Sequence, residues 1–231
     1  MKVIGLIGGM SWHSSLEYYR LINELISEKL GGLRSAHVVL YSLDFDEIEQ
    51  AQHLARWDDA TAMLVSAGTA LKRAGADFLV ICTNTMHKVA DAVAERVGLP
   101  LLHIGDVTGS AIVEHGLHRV GLLGTRFVME EQFYRQRLRE KFSIEVLVPG
   151  EEERALIHQI IYDELCQGKI NDSSRRTCVG IINGLVERGA EGIVLGCTEL
   201  PLLIRPIDTS VPLFDTTRLH AEAAVKMALA E

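Results

Sequence analysis

Phe78-Leu-Val-Ile-Cys-Thr-Asn-Thr-Met-His87 decides the fold, together with a second stretch of the same design, Gly192-Ile-Val-Leu-Gly-Cys-Thr-Glu-Leu-Pro201. Each is a short apolar run that stops abruptly at small polar residues. A run of this length, rich in branched side chains, predicts a strand buried on both faces. The polar residues after it then fall at the strand's carboxyl end, where open α/β sheets hold their ligands. Gly75-Ala-Asp precedes the first stretch and Gly189-Ala-Glu the second, an offset of 189 − 75 = 114. In this phase Thr83 corresponds to Cys197, Asn84 to Thr198 and Thr85 to Glu199.

The correspondence extends outward. Val3-Ile-Gly-Leu-Ile-Gly8 matches Arg119-Val-Gly-Leu-Leu-Gly124 at an offset of 116, and Leu99-Pro-Leu-Leu102 matches Val211-Pro-Leu-Phe214 at 112. Three blocks in the same order at nearly constant spacing indicate an internal duplication. The expected fold is therefore α/β: two similar parallel-sheet domains related by a pseudo-twofold axis, with the active site in the cleft between them. The expected division is 1–98 plus 208–231 for the first domain and 99–207 for the second.

A chain of 231 residues accommodates two such domains, each able to bury a core. Hydrophobic residues make up 48% and aromatic residues only 6%, so the cores must be built from aliphatic side chains. The net charge of −8 argues against nucleic acid and anionic membranes as partners, since both select a basic face. No apolar run reaches the roughly 18 to 20 residues that a membrane helix requires. The four cysteines, Cys82, Cys166, Cys178 and Cys197, form no C-x-x-C pair. Reduced thiols and a cytoplasmic location are expected.

In chain order, strands are predicted at 2–7, 37–42, 78–81, 101–104, 120–123, 144–148, 192–195 and 212–214. Helices alternate with them throughout. The helix predicted over 14–29 places Leu16, Tyr19, Ile22 and Ile26 at helical spacing. Single helices are predicted over 86–97, 106–115, 129–141, 151–166 and 174–188. Strand-helix alternation implies parallel sheets joined by right-handed crossovers.

Three features could carry chemistry. Gly8-Gly9-Met10-Ser11 lies between a strand and a helix, where backbone N–H groups can hold an anion, although a plain tight turn explains it equally well. It lacks the dinucleotide and P-loop patterns. Cys197 ends a buried strand, and helix-start amides nearby would lower its thiol pKa. Cys82 lies one residue out of phase with Cys197 and, by strand alternation, points away from the site. Cys166 and Cys178 fall on predicted helices as packing residues. The nine histidines show no metal-binding spacing, and no metal site is expected. His87 reads as a helix-start or packing histidine rather than a base.

Cys82-Thr-Asn-Thr-Met-His87, Gly196-Cys-Thr-Glu-Leu-Pro201 and the N-terminal Gly8-Gly-Met-Ser11 together resemble the aspartate/glutamate racemase family, and its aspartate-racemase branch in particular. The resemblance implies an isomerase that racemises amino acids with no cofactor, independently of pyridoxal phosphate (PLP). Two cysteines would address Cα from opposite faces, one removing a proton and the other returning one. It also implies a homodimer whose partner molecule is a small amino-acid substrate. Cys197 matches one catalytic position. The other is occupied by Thr83, whose hydroxyl is a far weaker acid than a thiol and can donate weakly or relay through water. The expected reaction is thus a racemisation started by Cys197 from L-aspartate, L-glutamate or a similar polar amino acid. Asn84, Thr85 and Thr198 would serve the substrate carboxylate, Glu199 the ammonium, and Met10 and Gln52 complete the substrate-binding set. Lys169 is a candidate cation for a side-chain carboxylate. Broad specificity for neutral amino acids such as homoserine, or amino-acid binding without catalysis, are the alternatives.

Overall fold

The computed structural model describes residues 1–230. The chain divides into two compact units, residues 1–103 with the chain from His220 onward, and residues 104–219. In the first unit, strands β1 (Ile4–Gly8), β2 (Val38–Ser42), β3 (Phe78–Ile81) and β4 (Leu101–Leu102) form a parallel sheet in the order β2-β1-β3-β4. In the second, β5 (Arg119–Gly124), β6 (Glu145–Leu147), β7 (Gly192–Gly196) and β8 (Leu213–Asp215) form a parallel sheet in the order β6-β5-β7-β8.

The register reproduces the duplication. Gly5 pairs with Leu79 as Gly121 pairs with Ile193, and Leu79 pairs with Leu101 as Ile193 pairs with Leu213. These pairs carry the sequence offsets of 116, 114 and 112 into three dimensions. β1, β3 and β7 are buried along their whole length, as apolar strands covered by helices on both faces must be. β8 belongs to the second sheet, so the segment expected to join the first unit from residue 208 joins it only from His220. The physical reason is the pairing of β8 with β7, which holds the chain in the second unit until the C-terminal helix Thr216–Leu229 has begun.

The first helix, Trp12–Leu30, buries a different face from the one expected. Tyr18, Leu21, Ile22, Leu25 and Ile26 face inward, whereas Leu16 and Tyr19 are 57% and 50% exposed. The inward face continues through Ser14 and Ser15, not Leu16, because the Gly8-Gly9 turn lies against it. The Gly9 N–H donates to Ser15 Oγ at 2.7 Å, and a Cβ at Gly8 would collide with that same oxygen. Small residues are required there on both sides.

Several predicted elements are shorter or broken. The fourth strand ends at Leu102 because the helix Ile104–Glu114 begins immediately after His103. The helix expected over 129–141 is two helices, Arg126–Glu130 and Gln132–Phe142, interrupted by extended backbone at Glu131. The helix expected over 151–166 is α-helical only to Gln159, then passes through a π turn, Ile160–Glu164, and a 3₁₀ turn, Leu165–Gln167. The segment after β3 begins as a 3₁₀ turn, Thr85–Val89, before the α-helix Ala90–Val97.

Candidate active site

In the first unit the site grows from two strand ends. β1 runs into Gly8-Gly9, and Gly9 adopts φ 88°. A Cβ at Gly9 would overlap the Leu43 carbonyl oxygen, so only glycine fits this turn. Met10 follows, is 4% exposed, and packs with Ile48, Ala51 and Met86. Gln52, also 4% exposed, donates from Nε2 to Met86 Sδ at 3.0 Å. Its Oε1 is buried and accepts no hydrogen bond from the described residues. A buried carbonyl oxygen without a donor is costly, and a ligand bearing N–H groups would relieve it.

β3 supplies the second strand end. The Cys82 N–H donates to the Ile7 carbonyl at 2.9 Å, extending the β1–β3 ladder by one step. The Cys82 side chain turns into the core beside Ile4, Tyr18 and Val80. Burial holds its thiol far above the ordinary cysteine range, so it is inert. Thr83 is partly exposed, while Asn84, Thr85 and His87 are buried. The structure thus brings Thr83, Asn84 and Thr85 to the end of β3, as expected, with Met10 and Gln52 in the same unit.

In the second unit the neighbouring ends of β5 and β7 are both glycine. Gly124 pairs with Gly196, and a Cβ on either would lie 2.9 Å from a carbonyl oxygen of the other strand. This close packing sets the position of Cys197. Its thiol is buried and donates from Sγ to Glu199 Oε2 at 3.1 Å. Thr198 Oγ1 donates to the same oxygen at 2.5 Å. Burial pushes the Cys197 pKa well up, and the Glu199 charge and neighbouring Cys166 push it the same way. The expected lowering by a nearby backbone amide is present, from the Glu199 N–H, but burial and the Glu199 charge outweigh it. Cys166 packs on the same cluster, with its thiol raised to about 12 by burial and Glu199.

Two residues depart from the sequence expectation. Thr217, which no motif singled out, follows β8 by two residues, as Cys197 follows the paired Leu195 by two. Its Oγ1 is buried and makes no hydrogen bond among the described residues, while neighbouring Thr216 Oγ1 donates to the Leu195 carbonyl at 2.8 Å. The repeat match of Val211-Pro-Leu-Phe214 was the available signal for this position. Lys169 is exposed, and its Nζ donates to Gln167 Oε1 at 2.7 Å.

The two strand ends therefore differ in chemistry. One offers a buried thiol in contact with a carboxylate, the other a threonine hydroxyl among amide and hydroxyl donors. Such groups can move protons at carbon and hold a zwitterion, without any evident means of handling a nucleotide.

Comparison with known proteins identifies the family. A crystal structure from Yersinia pestis, provisionally described as an Asp/Glu racemase, is 51% identical with a TM-score of 0.93 over 100% of both chains. The crystal structure of an aspartate racemase homologue from Pyrococcus horikoshii OT3 is 36% identical with a TM-score of 0.87, again over 100% of both. The broad specificity amino-acid racemase RacX of Bacillus subtilis (strain 168) is 20% identical over 99% of each chain. The Asp/Glu/Hydantoin racemase family model matches residues 7–224, which takes in both strand ends, and the chain belongs to that family of isomerases.

Proposed function

We propose that this racemase inverts Cα of L-aspartate, L-glutamate or a similar polar amino acid without PLP, with Cys197 as the base for the L-enantiomer and Thr83 serving the opposite face. The observation that carries this reading is the Cys197–Glu199 hydrogen bond, in which a buried thiol donates its proton to a carboxylate. In the resting protein the thiol is protonated. A substrate ammonium brought beside this pair favours the thiolate over the thiol. Glu199 Oε2 then takes the thiol proton, and the thiolate takes the Cα proton.

The Cα proton is very weakly acidic, so the developing carbanion needs help. Asn84, Thr85 and Thr198 supply donors for the carboxylate into which that charge spreads. Gln52 Oε1, a buried acceptor, suits the ammonium. Thr83 has no accessible alkoxide near neutrality, so reprotonation on its face proceeds by weak donation or through a relayed water. The two directions are consequently unequal in mechanism even though the enantiomers are equal in free energy.

A second reading, broad specificity that includes neutral amino acids such as homoserine, is favoured by the surface position of Lys169, which leaves that cation tied to Gln167. Amino-acid binding without turnover is the third. A homodimer is expected from the family resemblance and a cytoplasmic location from the cysteine usage, and sedimentation of the purified protein measures its assembly. Incubation of each enantiomer in deuterated buffer without PLP separates the readings. Inversion supports the racemase, its substrate ranking decides specificity, and binding without Cα exchange leaves only the third.

A further inference from the structure

We propose that His87 is a positioning residue for Thr83, with the His103, His220 and Tyr18 rings bracing it from behind, so that the Thr83 face is aligned by a buried aromatic assembly. The inference rests on the racemase reading above. It is drawn from groups that reading does not use.

The turn after β3 is the starting point. The His87 N–H donates to the Asn84 carbonyl at 3.1 Å, as a 3₁₀ turn demands. In an α-helix the same N–H would have served Thr83. The Thr83 carbonyl instead receives the His87 ring, with Nδ1 at 2.7 Å. A carbonyl only accepts, so Nδ1 must carry the proton. His87 thereby clamps the peptide that follows the Thr83 side chain.

The equivalent position on the other strand end is 87 + 114 = 201, which is Pro201 and has no donor. There the Cys197 carbonyl is served by the Leu200 backbone N–H at 3.2 Å. The two turns satisfy the same carbonyl by different means, one by main chain and one by side chain. A change at position 87 therefore falls on the Thr83 face alone.

The His87 ring is itself held. His103 meets it edge-to-face with centroids 4.7 Å apart, and His220 does so at 5.5 Å. His220 Nε2 lies 2.9 Å from the Leu102 carbonyl, so that nitrogen is the donor. In the neutral ring Nδ1 is then an acceptor, and the Tyr18 hydroxyl donates to it at 2.8 Å. Burial lowers the His220 pKa to about 4, which keeps the ring neutral near pH 7. Tyr18 stands on the first helix, Leu102 ends β4, and His220 lies on the C-terminal helix, so three elements of the first unit converge behind one carbonyl.

The test compares inversion with exchange. Wild type, His87→Phe and His87→Asn are incubated with L-substrate in deuterated buffer. Loss of Cα–H is followed by NMR, and D-product by chiral chromatography. Phe keeps a ring and removes the donor, whereas Asn restores a donor near the Nδ1 position. His87→Phe is expected to lower the ratio of inversion to exchange about 10- to 100-fold, the usual penalty for a misplaced reacting group. His87→Asn should recover much of that ratio. An unchanged ratio in a folded His87→Phe protein, or a parallel fall in both rates, would overturn the role. Absence of exchange in wild type would overturn the racemase reading and this one with it, and exchange without inversion would remove Thr83, and so His87, from the reaction. Independently of activity and of variant folding, ¹⁵N imidazole spectra of the wild type should show His87 protonated at Nδ1 and His220 at Nε2. A proton on His87 Nε2 alone would contradict the clamp.

Discussion

Cys197 Sγ donates to Glu199 Oε2 across 3.1 Å, inside a cluster where both side chains are buried. The thiol is therefore a resting acid whose conversion to a base is controlled by the carboxylate beside it. Burial raises its pKa first, and the Glu199 charge raises it further. Glu199→Gln removes that charge and should lower the pH at which the thiolate forms, read from absorbance near the thiolate band. Turnover should nevertheless fall by roughly 100-fold, the size of a lost acid–base partner. A thiolate that forms at higher pH in this variant would show that Glu199 stabilises the anion.

Thr83 occupies the place on the first strand end that Cys197 occupies on the second, by the register of β3 and β7 as well as by sequence. Thr83→Cys should raise L-to-D inversion roughly tenfold or more, because a thiol is a far better proton donor than a threonine hydroxyl. Chiral chromatography of the product measures it. A variant with normal folding and no gain would place the second catalytic group elsewhere.

His220 links acid stability to the first unit. Its ordinary value of 6.5 falls to about 4 on folding because it is buried. Between those values the unfolded chain binds a proton that the folded chain does not, so stability decreases as pH falls from 6.5 to 4. The gap corresponds to on the order of 3 kcal/mol at about 1.4 kcal/mol per pH unit. Urea unfolding at about pH 7 and about pH 4.5 should show this loss, and His220→Phe should flatten the pH dependence even if it lowers stability overall.

Gly9 tests the turn that leads to Met10. At φ 88°, with the Leu43 carbonyl oxygen in the space a Cβ would need, alanine is excluded by both backbone and contact. Gly9→Ala should cost at least about 2 kcal/mol in urea unfolding. Gly75→Ala, at φ 93° with open space around it, provides the comparison with strain alone and should cost less.

Much of this architecture is legible in the chain. The glycine pairs Gly5/Gly121 and Gly8/Gly124 and the matched polar ends carry the duplication, because close strand packing and strand-end chemistry both constrain local residue type. The motifs also gather Thr83, Asn84 and Thr85 on one strand end and Cys197, Thr198 and Glu199 on the other. The features that stay hidden depend on residues far apart in sequence. The first helix is rotated so that Tyr18 faces inward in place of Tyr19, and Tyr18 meets His220, which is 202 positions away. The direction of the Cys197 pKa depends on burial and on a side-chain contact with Glu199, neither of which a motif records. Thr217 gains its significance only from the pairing of β8 with β7.

The decisive experiment follows the fate of Cα when L-aspartate, L-glutamate and L-homoserine are incubated with PLP-free protein in deuterated buffer, with Cys197→Ser alongside. Deuterium at Cα together with D-product is expected in the wild type, with a loss of both by roughly 100-fold or more in Cys197→Ser. Exchange that survives in Cys197→Ser would contradict the role given to this thiol, as would a wild type that binds these amino acids and leaves Cα–H untouched.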